Sequence, residues 1–478
     1  MLVAFINAAA FQGSRGLFET TEGRYAECAR ETMLSGDWDD PVLDGQAHWT
    51  KPPLTYVAII AGMRTFGENP WGVRAYLVAA LVLASAAVWW AGVSIWGPAS
   101  GRWAGLVFAT SPAITAAACS VSADLLVALW TALAAAAYWQ SRTTRSNRAM
   151  IGAWVFTGLG MLTKGPPALL VPAFLLGSAS LLTHRGSFWR PPFRITALGV
   201  VLFLGIGCGW YFAEAMENPG LLAYWFTHEL IARNISPEFH RNPELTYVFT
   251  VYLPLLLFGT GPWLCILLFR CWQRFRGMLP AWPEQFTWNR AARWALIAGV
   301  AGPFLVFAGS HSRLPLYLTP VYVPLALLLG RGLEFAVARG CLRTHAIHGL
   351  VLVLLVLSVA AKAIVALPER PRDMTRLAAR LAPVLERVQP ETLYSVGHRP
   401  LHGLEFHLRR QVTPLLQEEF ENLMRTRSQL DARSFYLIKK NNWNRMPTHA
   451  VAAVQVEEIG PFWIGVRPDA IPGQPESH

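Results

Sequence analysis

Residues 124 to 164, DLLVALWTALAAAAYWQSRTTRSNRAMIGAWVFTGLGMLTK, decide the fold. They contain two apolar runs that approach the ~20 residues an α-helix needs to cross a bilayer core. The runs are joined by an Arg-rich turn at 142 to 148, and short Arg-rich turns stay on the cytoplasmic side of a membrane. The stretch therefore predicts a transmembrane helical hairpin with Asp124 and Lys164 at its outer end.

The same alternation of apolar runs and charged connections continues along the chain. Counting sides from the turn at 142 to 148 places three more Arg-rich loops on the cytoplasmic side, at 185 to 194, 270 to 293 and 331 to 343. The prediction is an all-α polytopic membrane protein with about 11 to 13 transmembrane helices. Besides the hairpin and a short N-terminal piece, spans are predicted at 72 to 97, 103 to 119, 166 to 183, 195 to 215, 246 to 270, 294 to 309, 314 to 330 and 347 to 368.

The composition is that of a membrane protein. Hydrophobic residues make up 53% of the chain and charged residues 15%, against ~25% charged residues in an average soluble domain. The net charge of +11 is spread over short loops rather than gathered in one basic patch. Contact with membrane lipids is therefore expected, and a nucleic acid partner is not.

The polar residues that suggest chemistry fall on the predicted outer side. This side gathers residues 12 to 71, residues 216 to 245 and the chain after 368. The apolar stretch 53 to 67 is short and contains Arg64, so it is interpreted as an amphipathic helix at the outer leaflet.

Two domains are expected, a transmembrane domain at 1 to 368 and a small extracytoplasmic α/β domain at 369 to 478. Charge rises in the second, and runs rich in β-branched and aromatic residues predict strands. These runs are LYSVG at 393 to 397, SFYLIKK at 434 to 440 and AVAAVQVEEIG at 450 to 460.

An ordered set of motifs carries a family resemblance. The motifs are TTEGRYAECARETMLSGD at 20 to 37, DGQAHWTKPPLTY at 44 to 56, LTKGPPALLVP at 162 to 172, SPEFHRNPE at 236 to 244 and SHSRLPLYLTPVY at 310 to 322. Taken together, they resemble the bacterial polyprenyl-phosphate sugar transferases of the GT-C class, relatives of protein O-mannosyltransferases and of the aminoarabinose transferase that modifies lipid A. The resemblance covers about residues 17 to 335.

The resemblance implies an inverting glycosyltransferase of the bacterial inner membrane. It implies a polyprenyl (undecaprenyl) phosphate-linked sugar donor, a lipid, glycan or protein acceptor, a periplasmic active site and a monomer. The family carries an Asp-Glu pair before Arg-Tyr-Ala, where this chain has Thr21 and Glu22 before Gly23, Arg24 and Tyr25. The family's second acidic residue matches Asp124, and its Lys-Pro motif matches Lys51 and Pro52.

The chemistry of such a transfer calls for cations. A departing polyprenyl phosphate needs positive charge more than it needs a proton. The predicted outer cations that could bind the donor phosphate are Lys51, Lys164 and Arg313.

The acceptor calls for a carboxylate. A hydroxyl acceptor must lose its proton in the transition state, and Glu22 and Asp124 are the candidates, with Asp44 a weaker third. An acceptor that is itself a phosphate is already ionised, and a carboxylate would then only position it. In both cases Glu22 and Asp124 are expected to hold the acceptor.

Five further residues are candidates for the site. Arg24 and Tyr25 belong to the family motif, whereas His228, Glu229 and His240 could ligate a metal or contact the carrier head group, or do neither. In relatives the residue before the motif Lys is often Glu, whereas here it is Thr50. No metal site is predicted, and a divalent metal stays an alternative.

Each candidate also has a structural interpretation. Asp124 stands where an N-cap residue would satisfy free backbone donors. Lys51 and Lys164 could be snorkelling residues at the interface, and Glu22 and Arg24 could face solvent. For the whole chain, a transporter, a non-catalytic assembly or receptor protein and an O-antigen ligase or polymerase remain alternatives.

Overall fold

A computed structural model describes residues 1–182, 189–232, 241–276, 289–426, 433–445 and 454–468. Helices dominate up to residue 366, and a small mixed α/β region follows, so the predicted fold class is confirmed. Five described helices are long and apolar enough to cross a membrane, and a sixth is added if one bent pair counts as a single span. The long apolar helices are Pro70–Trp96, Phe193–Glu217, Arg290–Gly309, Pro315–Ala338 and Thr344–Ala366.

The prediction of about 11 to 13 spans also counts helices that are shorter or more polar than these five. Some of them contain 3-10 or π-helical turns. The remaining helical segments are Leu2–Ala9, Thr21–Ser35, Leu54–Phe66, Pro98–Thr110, Pro112–Ala117, Asp124–Thr144, Asn147–Lys164, Pro166–Leu169, Leu170–Pro172, Ala173–Gly177, Ser178–Leu182, Leu221–Tyr224, Trp225–Ala232, Val248–Tyr252, Leu253–Phe258 and Pro262–Phe275.

The hairpin that the sequence predicts is formed by Asp124–Thr144 and Asn147–Lys164. Arg145 ends the first helix in a left-handed conformation with φ 57°, and Ser146 caps the second by accepting a hydrogen bond from the Ala149 amide. The Arg-rich turn is therefore tight. As a result, the start of the first helix and the end of the second lie at the same end of the hairpin.

Small residues let the helices next to this hairpin approach closely. A Cβ atom added to Gly92 would lie 2.7 Å from the Cα atom of Gly101, so Pro70–Trp96 and Pro98–Thr110 touch backbone to backbone at this point. Membrane helices commonly pack through such small residues, because the bilayer supplies no hydrophobic force between apolar helices.

Two predicted spans are broken in the structure. The stretch 103 to 119 divides at Ser111, before Pro112. The stretch 246 to 270 divides at Gly259–Gly261, before Pro262, and its two halves bend by 80°. Both breaks precede a proline, which has no amide hydrogen to continue a helix. Both predicted spans are therefore interrupted within their length.

A lysine joins two distant helices within the membrane region. Lys362, in Thr344–Ala366, donates hydrogen bonds to the carbonyl groups of Asn7 and Ala8. These carbonyls belong to the last turn of Leu2–Ala9, where helical carbonyls have no partner inside the helix. The positive charge is therefore placed at the negative end of a helix.

The C-terminal part contains a five-stranded mixed sheet. An earlier pair of strands is β1 (Val42–Leu43) and β2 (Gln46–Ala47), and the strands of the sheet are β3 (Thr392–Val396), β4 (Thr413–Leu415), β5 (Ser434–Lys439), β6 (Val454–Glu458) and β7 (Trp463–Pro468). All three predicted strands are present, and two more, β4 and β7, were missed. Strand β3 pairs in parallel with β4 and β5, whereas β7 pairs antiparallel with β5 and β6. The helices of this part are Met374–Val388, His402–Leu408, Gln417–Thr426 and Lys440–Trp443.

The start of the C-terminal part contacts the segment 12–71. The Met374 amide donates to the Leu17 carbonyl at 3.0 Å, and the Glu19 amide donates to the Arg372 carbonyl at 3.1 Å. Glu19 also accepts a hydrogen bond from the Gly403 amide. The two predicted outer regions are thus joined through their backbones.

Candidate functional site

The open end of the hairpin, where its first helix begins and its second helix ends, carries a buried ion pair. The Lys164 ammonium contacts Oδ1 of Asp124, and the side chains are 14% and 8% exposed. Asp124 is the first helical residue but makes no capping hydrogen bond, so the N-cap interpretation is wrong. Within the described part of the chain, no hydrogen bond reaches its second oxygen, Oδ2. Both residues were candidates from the sequence, but no contact between them was predicted.

Tyr317 extends this pair towards the helical turn Pro315–Val321. The Lys164 nitrogen lies 4.5 Å from the centre of the Tyr317 ring, a cation–π contact. The lysine is therefore held between a carboxylate and an aromatic face. Both contacts hold its ammonium at the site, and the side chain is 14% exposed, whereas a snorkelling residue extends its charge into water.

Two stacked tyrosines lie near Asp124. The negative charge of Asp124 acts to raise the pKa of Tyr25. The Tyr25 and Tyr56 rings stack with their centres 5.5 Å apart. Burial raises the pKa of both phenols, so they stay protonated and can donate hydrogen bonds. Among the residues described, none forms a hydrogen bond with the Tyr25 hydroxyl.

His48 contacts Tyr56 and lies near two cations, Arg24 and Lys51. Its ring lies 6.4 Å from the Tyr56 ring, and its Nε2 pairs with the Thr50 hydroxyl at 2.7 Å. Burial above all, together with the charges of Arg24 and Lys51, lowers the pKa of His48 to about 4. The imidazole is therefore neutral at neutral pH, and both cations act on it.

Arg24 is a half-buried cation at this place. Across the described ranges it forms no hydrogen bond or ion pair, although its charge acts on Glu19, Tyr25 and His48. Lys51 donates to the Thr50 carbonyl at 2.9 Å. The site thus runs from Arg24 and Lys51 through the aromatic residues to the ion pair at the hairpin.

Replacing His48 with Gln is expected to reduce the loss of folding stability that occurs as the pH falls below about 7. An unfolded chain has a histidine pKa of ~6.5, above the value of about 4 in the folded protein. Between these values the unfolded chain binds a proton that the folded protein does not, so wild-type stability falls as the pH decreases, by up to ~1.4 kcal/mol per pH unit. The variant should lose less stability than the wild type between pH values of about 7 and 5.

Thermal unfolding in detergent at both pH values measures this difference. The matched control is His345→Gln, which changes an exposed histidine on another helix. A variant whose unfolding midpoint follows the wild type at both pH values would contradict the assignment.

Glu22 is buried and already fully hydrogen-bonded. Its Oε1 contacts the Arg15 guanidinium at 2.5 Å and the Val121 amide at 3.1 Å. Its Oε2 contacts the Arg74 guanidinium at 2.9 Å and the Phe18 amide at 3.0 Å. A carboxylate has about four acceptor positions, so this one has none left for a substrate.

The surroundings hold Glu22 in its ionised form. Burial acts to raise its pKa, but the charges of Arg74 and Arg15 outweigh burial and lower the pKa below the usual value. Arg15 also donates to the Cys119 carbonyl, next to the turn before Asp124. The carboxylate therefore joins the 12–71 segment to the head of the hairpin, and contact with the acceptor stays a prediction without geometric support.

Arg313 has a comparable structural environment. Its guanidinium donates to the carbonyls of Ala308, Asn242 and Glu244 at 2.9–3.2 Å, and the residue is 2% exposed. The hydrogen bonds join the end of Arg290–Gly309 to the segment that follows residue 240. A guanidinium occupied by carbonyls is not available to a phosphate, so this geometry does not support the predicted role in donor binding.

Of the remaining candidates, the two whose side chains the structure describes, His228 and Asp44, contact other groups. His228 is exposed and stacks on Tyr224 with ring centres 5.1 Å apart. Glu229 lies in Trp225–Ala232, but its side chain falls outside the described residues, as does all of His240. Asp44 contacts His402, with Oδ2 and Nε2 3.3 Å apart.

Four residues of the site were not selected from the sequence. Tyr56, His48 and Tyr317 lie inside the quoted motifs, but motif position alone does not distinguish them from packing residues. Arg74 could have been recognised from the sequence, because a charge near the start of a long apolar helix is costly without an anionic partner. That partner is Glu22.

The fold is that of a known class of membrane transferases. The crystal structure of ArnT from Cupriavidus metallidurans bound to undecaprenyl phosphate superposes with a TM-score of 0.73 and 20% identity, and the alignment covers 99% of this chain and 98% of that one. The chain therefore has the GT-C fold, as predicted. At this identity the similarity establishes the fold.

Sequence comparison gives the particular relatives. A family model described as dolichyl-phosphate-mannose-protein mannosyltransferase matches residues 50–211. The undecaprenyl phosphate-α-4-amino-4-deoxy-L-arabinose arabinosyl transferases of Pseudomonas aeruginosa LESB58 and Edwardsiella ictaluri are 30% and 29% identical over 363 and 320 residues. These matches cover 73% and 66% of this chain but 62% and 55% of the relatives, so the chain spans less than two thirds of their length. The predicted resemblance to the polyprenyl-phosphate sugar transferases is confirmed.

Proposed function

We propose that this protein transfers a sugar, with inversion, from a polyprenyl phosphate carrier to an acceptor at the periplasmic face of a bacterial inner membrane. The observation that carries the proposal is the meeting of Asp124 and Lys164 with Tyr25 and Arg24, from sequence segments about 100 residues apart. The combination supplies cations for a leaving phosphate and a carboxylate for an acceptor. Both are needed for this reaction.

Arg24 and Lys51 are assigned to the donor phosphate. A guanidinium can bind two phosphate oxygens at once, and that of Arg24 makes no hydrogen bond to the described residues. Tyr25 can add a hydrogen bond from its protonated hydroxyl. These groups stabilise the negative charge that grows on the phosphate as its bond to the anomeric carbon breaks.

Asp124 is assigned to the acceptor. Lys164 occupies Oδ1, which fixes the carboxylate, and Oδ2 has no hydrogen bond from the described residues. With a hydroxyl acceptor, Oδ2 receives the proton as the hydroxyl attacks. With a phosphate acceptor, the Asp124–Lys164 pair positions the already ionised group.

The relatives indicate the substrates. Their names specify undecaprenyl phosphate-α-4-amino-4-deoxy-L-arabinose as the donor, and we propose the same donor here, with lipid A as the acceptor. We further propose that the chain acts as a monomer and divides at residue 368 into a transmembrane catalytic domain and a periplasmic α/β domain.

Asp124→Asn is expected to lower transfer by about 10²–10⁴-fold, because the amide can neither take the proton of a hydroxyl acceptor nor balance Lys164 in the pair that positions a phosphate acceptor. Proteoliposomes containing the donor and lipid A measure the reaction by mass spectrometry of modified lipid A and released undecaprenyl phosphate. Asp37→Asn is the matched control, since Asp37 is exposed and outside the site.

The same assay tests the alternative functions. A wild-type protein that modifies no lipid, glycan or protein acceptor and releases no undecaprenyl phosphate would favour the transporter or assembly interpretation. Full turnover by Asp124→Asn would remove the role assigned to this carboxylate but not the transferase itself.

A further inference from the structure

A second polar cluster lies between the 12–71 segment and the C-terminal part. Its first member, Asp44, occupies the tight turn between β1 and β2. Asp44 and Gly45 both have positive φ, 56° and 70°, which is the geometry of a two-residue hairpin that favours the sequence Asp-Gly. The turn points the Asp44 carboxylate out of the hairpin towards helix His402–Leu408.

That helix supplies the other two members. His402 and Glu405 are three residues apart, so their side chains lie on one face of the helix. Nε2 of His402 is 3.3 Å from Oδ2 of Asp44. One ligand atom from each of Asp44, His402 and Glu405 lies within 4.8 Å of the others. Three residues from two distant parts of the chain therefore converge on one point.

The Glu405 carboxylate is buried and only half satisfied. The residue is 3% exposed, and its Oε1 accepts a hydrogen bond from the Val412 amide at 2.8 Å. Its Oε2 is buried and has no partner among the described residues. An unpaired buried carboxylate oxygen is costly, and the cost falls when a cation occupies the space beside it.

The charges around Glu405 are negative. Burial and, to a smaller extent, the carboxylates of Asp44, Glu27 and Glu31 raise its pKa to about 7, against the hydrogen bond from the Val412 amide. A positive ion at the cluster would balance them.

We propose that Asp44, His402 and Glu405 bind a divalent transition-metal ion of the Zn²⁺ type. Ligands around a tetrahedral ion at ~2.0–2.1 Å are separated by about 3.3 Å, which is the distance between the His402 nitrogen and the Asp44 oxygen. An imidazole with two carboxylates suits Zn²⁺ better than Ca²⁺, which prefers oxygen ligands alone. Water completes the coordination.

The ion joins two regions that the sequence separates. Asp44 belongs to the hairpin that precedes His48 and Lys51, whereas His402 and Glu405 belong to the C-terminal part. Metal binding therefore fixes the position of this hairpin against the C-terminal part. The inference concerns a cluster distinct from the Asp124–Lys164 pair and does not depend on the proposed transfer reaction.

Metal content and thermal stability of the full chain test the site. The purified protein is stripped with a chelator, dialysed against ZnCl₂ and assayed for bound zinc by mass spectrometry and for its unfolding midpoint. We expect about one zinc per chain and a raised midpoint, since an ion that binds only the folded state stabilises it. Asp44→Asn and His402→Gln should each weaken zinc binding by about 10–100-fold or more.

Asp44→Asn is the decisive variant. Asp44 is exposed and Asn tolerates positive φ, so the turn should persist and loss of zinc cannot be attributed to unfolding. Asp37→Asn, another exposed aspartate of the same segment, should bind zinc as the wild type does. A wild type that holds no zinc, or an Asp44→Asn variant that holds it equally tightly, overturns the proposal and leaves the contact as a His–Asp ion pair.

Discussion

Replacing Arg24 with Gln is expected to lower sugar transfer by about 10²–10³-fold, the usual effect of removing one charge-stabilising group from an active site. Arg24 is half-buried and forms no ion pair with the described residues. Its positive charge acts to lower the pKa of Tyr25 and of His48. Its charge is therefore available to the donor phosphate of the proposed reaction. Initial rates in proteoliposomes at several donor concentrations measure the loss.

The matched control is Arg64→Gln. Arg64 is exposed and rests on the Trp38 ring, 5.6 Å from its centre, in the same 12–71 segment. Arg24→Lys should recover part of the rate, because the charge is kept but binding to two oxygens is lost. If Arg24→Gln transfers sugar as fast as Arg64→Gln, Arg24 does not contact the leaving phosphate.

Glu22→Gln is expected to destabilise the protein by ~3–5 kcal/mol, because it leaves Arg74 and Arg15 without their shared buried anion. Arg74 is fully buried, and its remaining hydrogen bonds go to the neutral backbone carbonyls of Gln12, Arg15 and Gly16. Thermal unfolding in detergent, together with the yield of folded protein, measures this effect.

The control for Glu22→Gln removes the same charge from an exposed pair. Glu68 contacts Arg409 at 3.3 Å on the surface, and exposed pairs contribute ~0–1 kcal/mol. Glu68→Gln should therefore leave the unfolding midpoint almost unchanged. A Glu22→Gln protein with a wild-type midpoint but no transfer would restore the catalytic role that the sequence first suggested for Glu22.

Much of the membrane fold could be predicted because it depends on local composition. Apolar runs and Arg-rich turns gave the hairpin Asp124–Thr144 and Asn147–Lys164 to within a few residues. The same pattern did not reveal the break within 246 to 270, where the residues are apolar throughout but Pro262 interrupts the helical hydrogen bonding. Average hydrophobicity identifies spans but does not detect a break inside them.

The candidate site was predictable in its residue types but not in its pairings. The sequence selected Asp124, Lys164 and Arg24, and the antiparallel hairpin brings the first two together. It did not indicate that Glu22 would be saturated by Arg15 and Arg74, because those contacts depend on how distant segments pack. For the same reason, Arg313 resembled a phosphate ligand although backbone carbonyls occupy its guanidinium.

The lysine shared between Thr344–Ala366 and Leu2–Ala9 constrains the order in which the bundle is assembled. An ammonium in the hydrocarbon layer is tolerated where carbonyl groups receive it, and here the donor and one acceptor are 355 residues apart in the chain. The two carbonyl groups at the end of Leu2–Ala9 can receive this ammonium only after residue 362 has been synthesised. This long-range contact therefore cannot form before most of the chain has been made.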